Sequence, residues 1–141
     1  MLMREGEKAI VDTFFRNRAN VYFGTGVHKL YVGLYHGSIS KDTALATIPG
    51  EPSGSGYSRQ VIDRSVDGFP TLEQNEDLDW QVVSVEISFE AVGGDIGPVD
   101  GYFVCTSADN SGTLIGTVPF KTERTIKAGD KAIIQVQAKE M

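Results

Sequence analysis

The chain reads as a mainly β protein, an antiparallel β-sandwich of the jelly-roll or immunoglobulin-like kind carrying one short N-terminal α-helix. Three observations predict this. Several segments alternate apolar and polar residues with period two, sixteen glycines are spread through the chain without low complexity, and one helix-like stretch lies near the start. At 141 residues the sequence suits a single hydrophobic core. It divides into a helical arm over 1–20 and one sandwich domain over 21–141.

Residues 4–17 are the helix candidate: Ile10 and Phe14 stand one turn apart with Ala9 and Thr13 beside them, while Glu5, Glu7, Lys8, Asp12 and Arg16 lie largely elsewhere. A helix this short is marginal alone in water, so its narrow apolar stripe should cover a sheet or meet a neighbouring subunit. Tyr22, Phe23 and Val27 lead into Lys29 to His36, where Leu30, Val32 and Leu34 face one way and Tyr31, Gly33 and Tyr35 the other. A strand apolar on both sides belongs at the centre of a sheet.

Val82 to Phe89 predicts a half-exposed strand, with Val83, Val85, Ile87 and Phe89 on the inner face and Ser84, Glu86 and Ser88 on the outer. Tyr102 to Thr106 and Thr113 to Val118 flank Asp109-Asn110-Ser111-Gly112, residues suited to a hairpin turn, and Pro119 limits the second strand to an edge or to its end. After the turn Lys127-Ala128-Gly129-Asp130, the segment Ala132 to Ala138 alternates Ile134 and Val136 with Gln135 and Gln137. Two stretches read as long loops: 37–58, rich in Gly, Ser, Thr and Pro, and 63–80, which carries Asp63, Asp67, Glu73, Glu76, Asp77 and Asp79.

Nineteen acids against thirteen bases give a net charge of −6 and a pI near 4.8, which sets the chain against phosphate backbones and anionic lipid. Neither nucleic acid nor membrane is an expected partner. Apolar runs fall far short of the ~18 residues of a membrane span. The start, MLMREGEKAIVDTFF, lacks the apolar core and small-residue cleavage site of a secretory signal. Cys105 is the sole cysteine, so no disulfide forms within the chain, and its setting in Gly-Tyr-Phe-Val-Cys predicts a buried, reduced thiol.

No catalytic or metal motif emerges. The EQNEDLD stretch offers carboxylates without the spacing of an EF-hand loop, so no metal is expected. GSGYSR at 54–59 lacks the Lys-Ser/Thr pair of a phosphate loop and reads as a turn, in which Tyr57 and Arg59 are candidate interface anchors. His28 and His36 flank one strand, roughly 26 Å apart at ~3.3 Å per residue, and cannot share an ion within the chain. Neither sits in an HExxH or C2H2 pattern, and no GxSxG elbow is present. The expectation is a protein without cofactor or enzymatic activity. Its candidate contact residues are Ile10, Phe14, Tyr57, Arg59 and Trp80; Trp80, Tyr31 and Tyr35 could also stack on a sugar or base, although scattered strand aromatics more often serve a core or an interface.

Five segments taken in order resemble a family of small bacteriophage virion structural proteins, often labelled tail fibre, minor structural or capsid decoration proteins. They are the helix at 4–17, LYVGLYHGSISKDTA at 30–44, EPSGSGYSRQ at 51–60, DGYFVCTSADNSGTLIGTV at 100–118 and RTIKAGDKAIIQV at 124–136. The segment 61–81 is longer and more acidic than the family pattern, and GPVDGYF stands where that pattern carries a tryptophan. The resemblance implies a non-enzymatic virion component assembled in the bacterial host cytoplasm. Its implied partners are the major capsid protein or other virion proteins, and further copies of itself as a dimer or trimer. One domain without fibrous repeat or coiled-coil stem points to a capsid decoration (cement) protein. The alternative is a tail-fibre, tail-tip or baseplate subunit, with receptor or carbohydrate binding as a possible task.

Overall fold

The computed structural model describes residues 1–25 and 28–138, so Val27, read above as leading into the first strand, lies outside the described residues. In chain order the elements are α1 (Arg4–Arg16), α2 (Ala19–Phe23), β1 (Lys29–Tyr35), a 3-10 turn (Leu45–Thr47), β2 (Gln60–Asp63), β3 (Thr71–Gln74), β4 (Trp80–Val83), β5 (Ile87–Glu90), β6 (Ile96–Cys105), β7 (Leu114–Ile126) and β8 (Lys131–Ile134). An antiparallel sheet in the order β2-β1-β6-β7 carries the fold, and β3-β4 and β5-β8 form two further antiparallel pairs. Mainly β architecture with one main N-terminal helix is what the sequence predicts.

The two-sided apolar pattern of β1 places it inside the large sheet, where Tyr31 lies between Val61 of β2 and Cys105 of β6. One face presents Val32, Leu34, Ile62, Tyr102 and Val104, which pack in a sandwich-like layer against Ile87 and Phe89 of β5 and Ile134 of β8. The opposite face presents Tyr35, Phe103, Cys105 and Leu114, covered by Met3 and Leu45. Burying each such side chain contributes roughly 1.5–3 kcal/mol, so both faces are held by the hydrophobic effect. The Gly/Ser/Thr/Pro-rich stretch after β1 is therefore a lid on the sheet, with Leu45 of its 3-10 turn fully buried.

Two expectations are corrected. Val82 to Phe89 is two strands in different pairs, because the chain turns at Ser84. Ser84 is buried and exchanges backbone hydrogen bonds with Val136: its N–H donates to the Val136 carbonyl at 2.9 Å, its Oγ accepts the Val136 N–H at 2.8 Å and donates to the Val85 carbonyl at 2.8 Å. Val85 turns outward instead and is 39% exposed, which reverses the predicted alternation at these two residues, while Ile87 and Phe89 face inward as predicted. Likewise 63–80 is no plain loop: it holds β3 and the turn of the β3-β4 hairpin, closed by Asn75, whose Oδ1 accepts the N–H groups of Asp77 (2.8 Å) and Asp79 (3.1 Å).

The β6-β7 hairpin forms about the predicted turn, and its strands run beyond the predicted segments. Pro119 lies on β7, an edge of the sheet, where its missing N–H costs no ladder bond. Next to it the edge is shielded by the N-terminus: Leu2 pairs with Gly116, the Met3 N–H donates to the Ile115 carbonyl at 3.0 Å, and the Thr117 N–H donates to the Met1 carbonyl at 2.9 Å.

Helix α1 stops where expected, at Asn17 in the left-handed region with φ 54°. Its docking face is set by small residues. Gly6 and Ala9 are buried on β7, and a Cβ at Gly6 would lie 2.3 Å from the Ile115 carbonyl oxygen, so only glycine permits this approach. Glu5 fixes the same end of the helix, since its Oε1 accepts N–H groups from both Leu45 (3.0 Å) and Leu114 (2.6 Å). With the small face inward, the Ile10–Phe14 stripe is turned outward. No helix among the described residues is long and apolar enough to cross a membrane.

Candidate interaction surface

The outward side of α1 is apolar over most of its length. Phe14 and Phe15 are 80% and 77% exposed, their rings meeting edge to face at 4.9 Å, and Ile10 and Val11 are about half exposed beside them. Between this helix, Phe23 of α2 and Leu30 and Ile115 of the sheet runs an open apolar groove of about 320 Å³. Its walls are built by local chemistry. Asp12, buried at the base of the helix pair, accepts the Tyr22 hydroxyl at 3.0 Å, and Arg64 lies 4.1 Å over the Phe23 ring with Nη2 2.6 Å from His28 Nδ1. These contacts hold α2 against the start of β1.

A second exposed apolar strip lies on the β3-β4 hairpin. Leu72 pairs with Val82 and Gln74 with Trp80, so period two puts Leu72 and Trp80 on one face of the ribbon, and Trp80 is 66% exposed. Carboxylates of the hairpin stay at the surface around it. Apolar side chains framed by charge have the composition that contact surfaces carry.

Of the five candidate contact residues, the structure presents Ile10, Phe14 and Trp80 to solvent and turns Tyr57 and Arg59 inward. The Tyr57 ring stacks on Phe89 at 5.8 Å, its hydroxyl oxygen accepts the Leu34 N–H at 2.9 Å, and its O–H donates to Glu51 Oε2 at 2.7 Å. Burial pushes the Tyr57 hydroxyl far above the ordinary tyrosine range. Arg59 grips Glu51 with two N–H groups and donates further to the carbonyls of Ser107 and Asp109 and to Asn110 Oδ1. Together they fasten the 51–60 segment to β1 and to the β6-β7 turn. Tyr35 is buried as well and offers no ring to a ligand.

Cys105 is fully buried and its Sγ lies 3.2 Å from the Ser107 carbonyl; burial, opposed by this contact and by Arg59, pushes the thiol up to about 11. A thiolate nucleophile is not available there at neutral pH. His28 and His36 sit at opposite ends of β1, as their spacing requires. Sequence reasoning passed over Val11, Phe15 and Leu72. The signal was present in the spacing: Val11 and Phe15 stand four residues apart, as Ile10 and Phe14 do, and so share a helix face.

No curated protein matches the sequence. A family model does, one described as "Podophage GP4 fiber I protein gp80", and it takes in residues 3–141, nearly the whole chain. The chain belongs to that family of phage fibre proteins.

Proposed function

We propose that the chain is a non-enzymatic subunit of a phage fibre, and that it works by burying the apolar outer face of α1 against a neighbouring virion protein or another copy of itself. The observation that carries this reading is the pair Phe14 and Phe15, held almost fully in water on a helix already anchored by its opposite side. Each phenylalanine buried in a contact contributes roughly 1.5–3 kcal/mol. Stable interfaces place such apolar groups at their centre.

Family membership favours the fibre over capsid decoration, the location the sequence suggested first. The absence of a coiled-coil stem argued for the capsid, but compact domains stacked in series also make a fibre. Gold-labelled antibody against the chain on purified particles tests the location: label at fibres is the expected result, and label spread over the capsid lattice would refute it. Receptor or carbohydrate binding is the second reading, and it rests on exposed Trp80. Glycan-array binding lost in Trp80→Ala supports it, and an array silent for the unaltered chain removes it.

A further inference from the structure

His36, Asp100 and Glu123 are far apart in the sequence and meet at one end of the large sheet, where β1 ends and β6 and β7 run beside it. The register explains the meeting. Gly101 pairs with Pro119 and Val99 with Arg124, so two steps along β6 answer five along β7, and Glu123 lies in the bulge that takes up the difference. His36 Nδ1 is 3.0 Å from Asp100 Oδ2 and 3.9 Å from Glu123 Oε2, and all three ligand atoms lie within 4.8 Å of one another. Tetrahedral bonds of ~2.0–2.1 Å set ligand atoms ~3.4 Å apart, so small rotations bring these three to bonding geometry.

Two further observations favour a bound ion. His36 Nδ1 is shut off from solvent yet makes no aligned hydrogen bond, although a carboxylate oxygen lies 3.0 Å away. Asp100 Oδ2 is itself oriented by the Gly37 N–H at 2.7 Å, the kind of support that a metal ligand receives. Among the described residues no lysine or arginine forms an ion pair with Asp100 or Glu123. The cluster borders an open depression of about 370 Å³, which gives an ion and its water a way in.

We propose that His36, Asp100 and Glu123 form a binding site for a divalent transition ion of the zinc type, with water in the remaining position. One imidazole nitrogen with two carboxylates suits such an ion, whereas calcium and magnesium prefer shells of oxygen alone. Bound there, the ion ties the end of β1 to the middle of β6 and to the bulge of β7 and stabilises the folded chain.

The test is calorimetric titration of the chelator-treated full chain with Zn²⁺. One site per chain is expected, with a thermal midpoint that rises as Zn²⁺ is added and with much weaker binding of Mg²⁺ and Ca²⁺. Since loss of a mere supporting group costs metal sites ~10–100-fold, His36→Ala and Glu123→Gln should each weaken Zn²⁺ at least about tenfold, while His28→Ala leaves it unchanged. Glu123 is exposed and outside the core, so Glu123→Gln decides the matter if His36→Ala fails to fold. No saturable binding by the unaltered chain, or equal affinity in the Glu123→Gln variant, would overturn the proposal.

Discussion

Both carboxylate oxygens of Glu51 accept an N–H from the Arg59 guanidinium at 2.8 Å, where 5% of the Arg59 side chain and 21% of the Glu51 side chain remain exposed. Fork-to-fork pairing of this kind is both strong and directional. Because Glu51 also takes the Tyr57 hydroxyl, and Arg59 also reaches the turn at 107–110, the pair joins the 51–60 segment to two separate parts of the large sheet.

Glu51→Gln keeps the size of the side chain and removes its charge, leaving a buried guanidinium without a counter-ion. Breaking a buried pair costs about 3–5 kcal/mol, and the partial exposure of Glu51 lowers the expectation to about 2–3 kcal/mol. Urea unfolding measures it. A loss below about 0.5 kcal/mol would show that the network is not what secures this segment.

Gly6→Ala sets two effects against each other. Helix propensity favours alanine by about 1 kcal/mol. Against that, the new Cβ would sit 2.3 Å from the Ile115 carbonyl oxygen and 2.8 Å from its Cα, both of them backbone atoms that cannot step aside cheaply. Overpacking of this sort costs about 1–3 kcal/mol and lifts α1 off β7, so net destabilisation is expected. A thermal midpoint equal to or above that of the unaltered chain would contradict the close docking of the helix.

Much of the fold was legible because β1 announces itself on both faces, and because Asp109 to Gly112 and Lys127 to Asp130 carry turn chemistry that few other structures want. The break at Ser84 was not legible. Period two treats a serine as an outward residue, and nothing local reveals that its hydroxyl will be satisfied by Val136 some fifty residues on. The helix was placed correctly, and which of its sides meets the sheet was left open, since the glycine that permits close docking carries no hydrophobic signal. Tyr57 and Arg59 have the composition of interface anchors, and the nearby Glu51 turned that chemistry inward. His36 just past β1, Asp100 on β6 and Glu123 in the bulge of β7 are brought together by that bulge, which no spacing rule encodes.

Phe14→Asp separates folding from assembly. At 80% exposure Phe14 contributes little to the isolated chain, so unfolding free energy should change by no more than about 0.5 kcal/mol. Incorporation into particles, scored by quantitative mass spectrometry of purified phage, should fall at least about tenfold, because a carboxylate would be buried at the contact. Normal incorporation of a folded variant would remove α1 from the interface.

Alkaline pH should unfold the chain through two buried acids. Tyr57 and Cys105 both have folded-state values raised by burial, the thiol up to about 11. In each the neutral form is the one the fold accommodates, and the unfolded chain releases its proton first, at ~8.5 for cysteine and ~10 for tyrosine. Their contribution is therefore complete below those values and is lost as pH rises, through about 11 for Cys105 and beyond for Tyr57. Each group adds a slope of about 1.4 kcal/mol per pH unit within its window. Urea unfolding at pH 7, 7.5 and 10.5 should show a flat region followed by a steep fall, and Tyr57→Phe with Cys105→Ala should flatten the fall whatever it does to stability at pH 7. An unaltered slope in the double variant would mean that these two groups do not govern the alkaline limit.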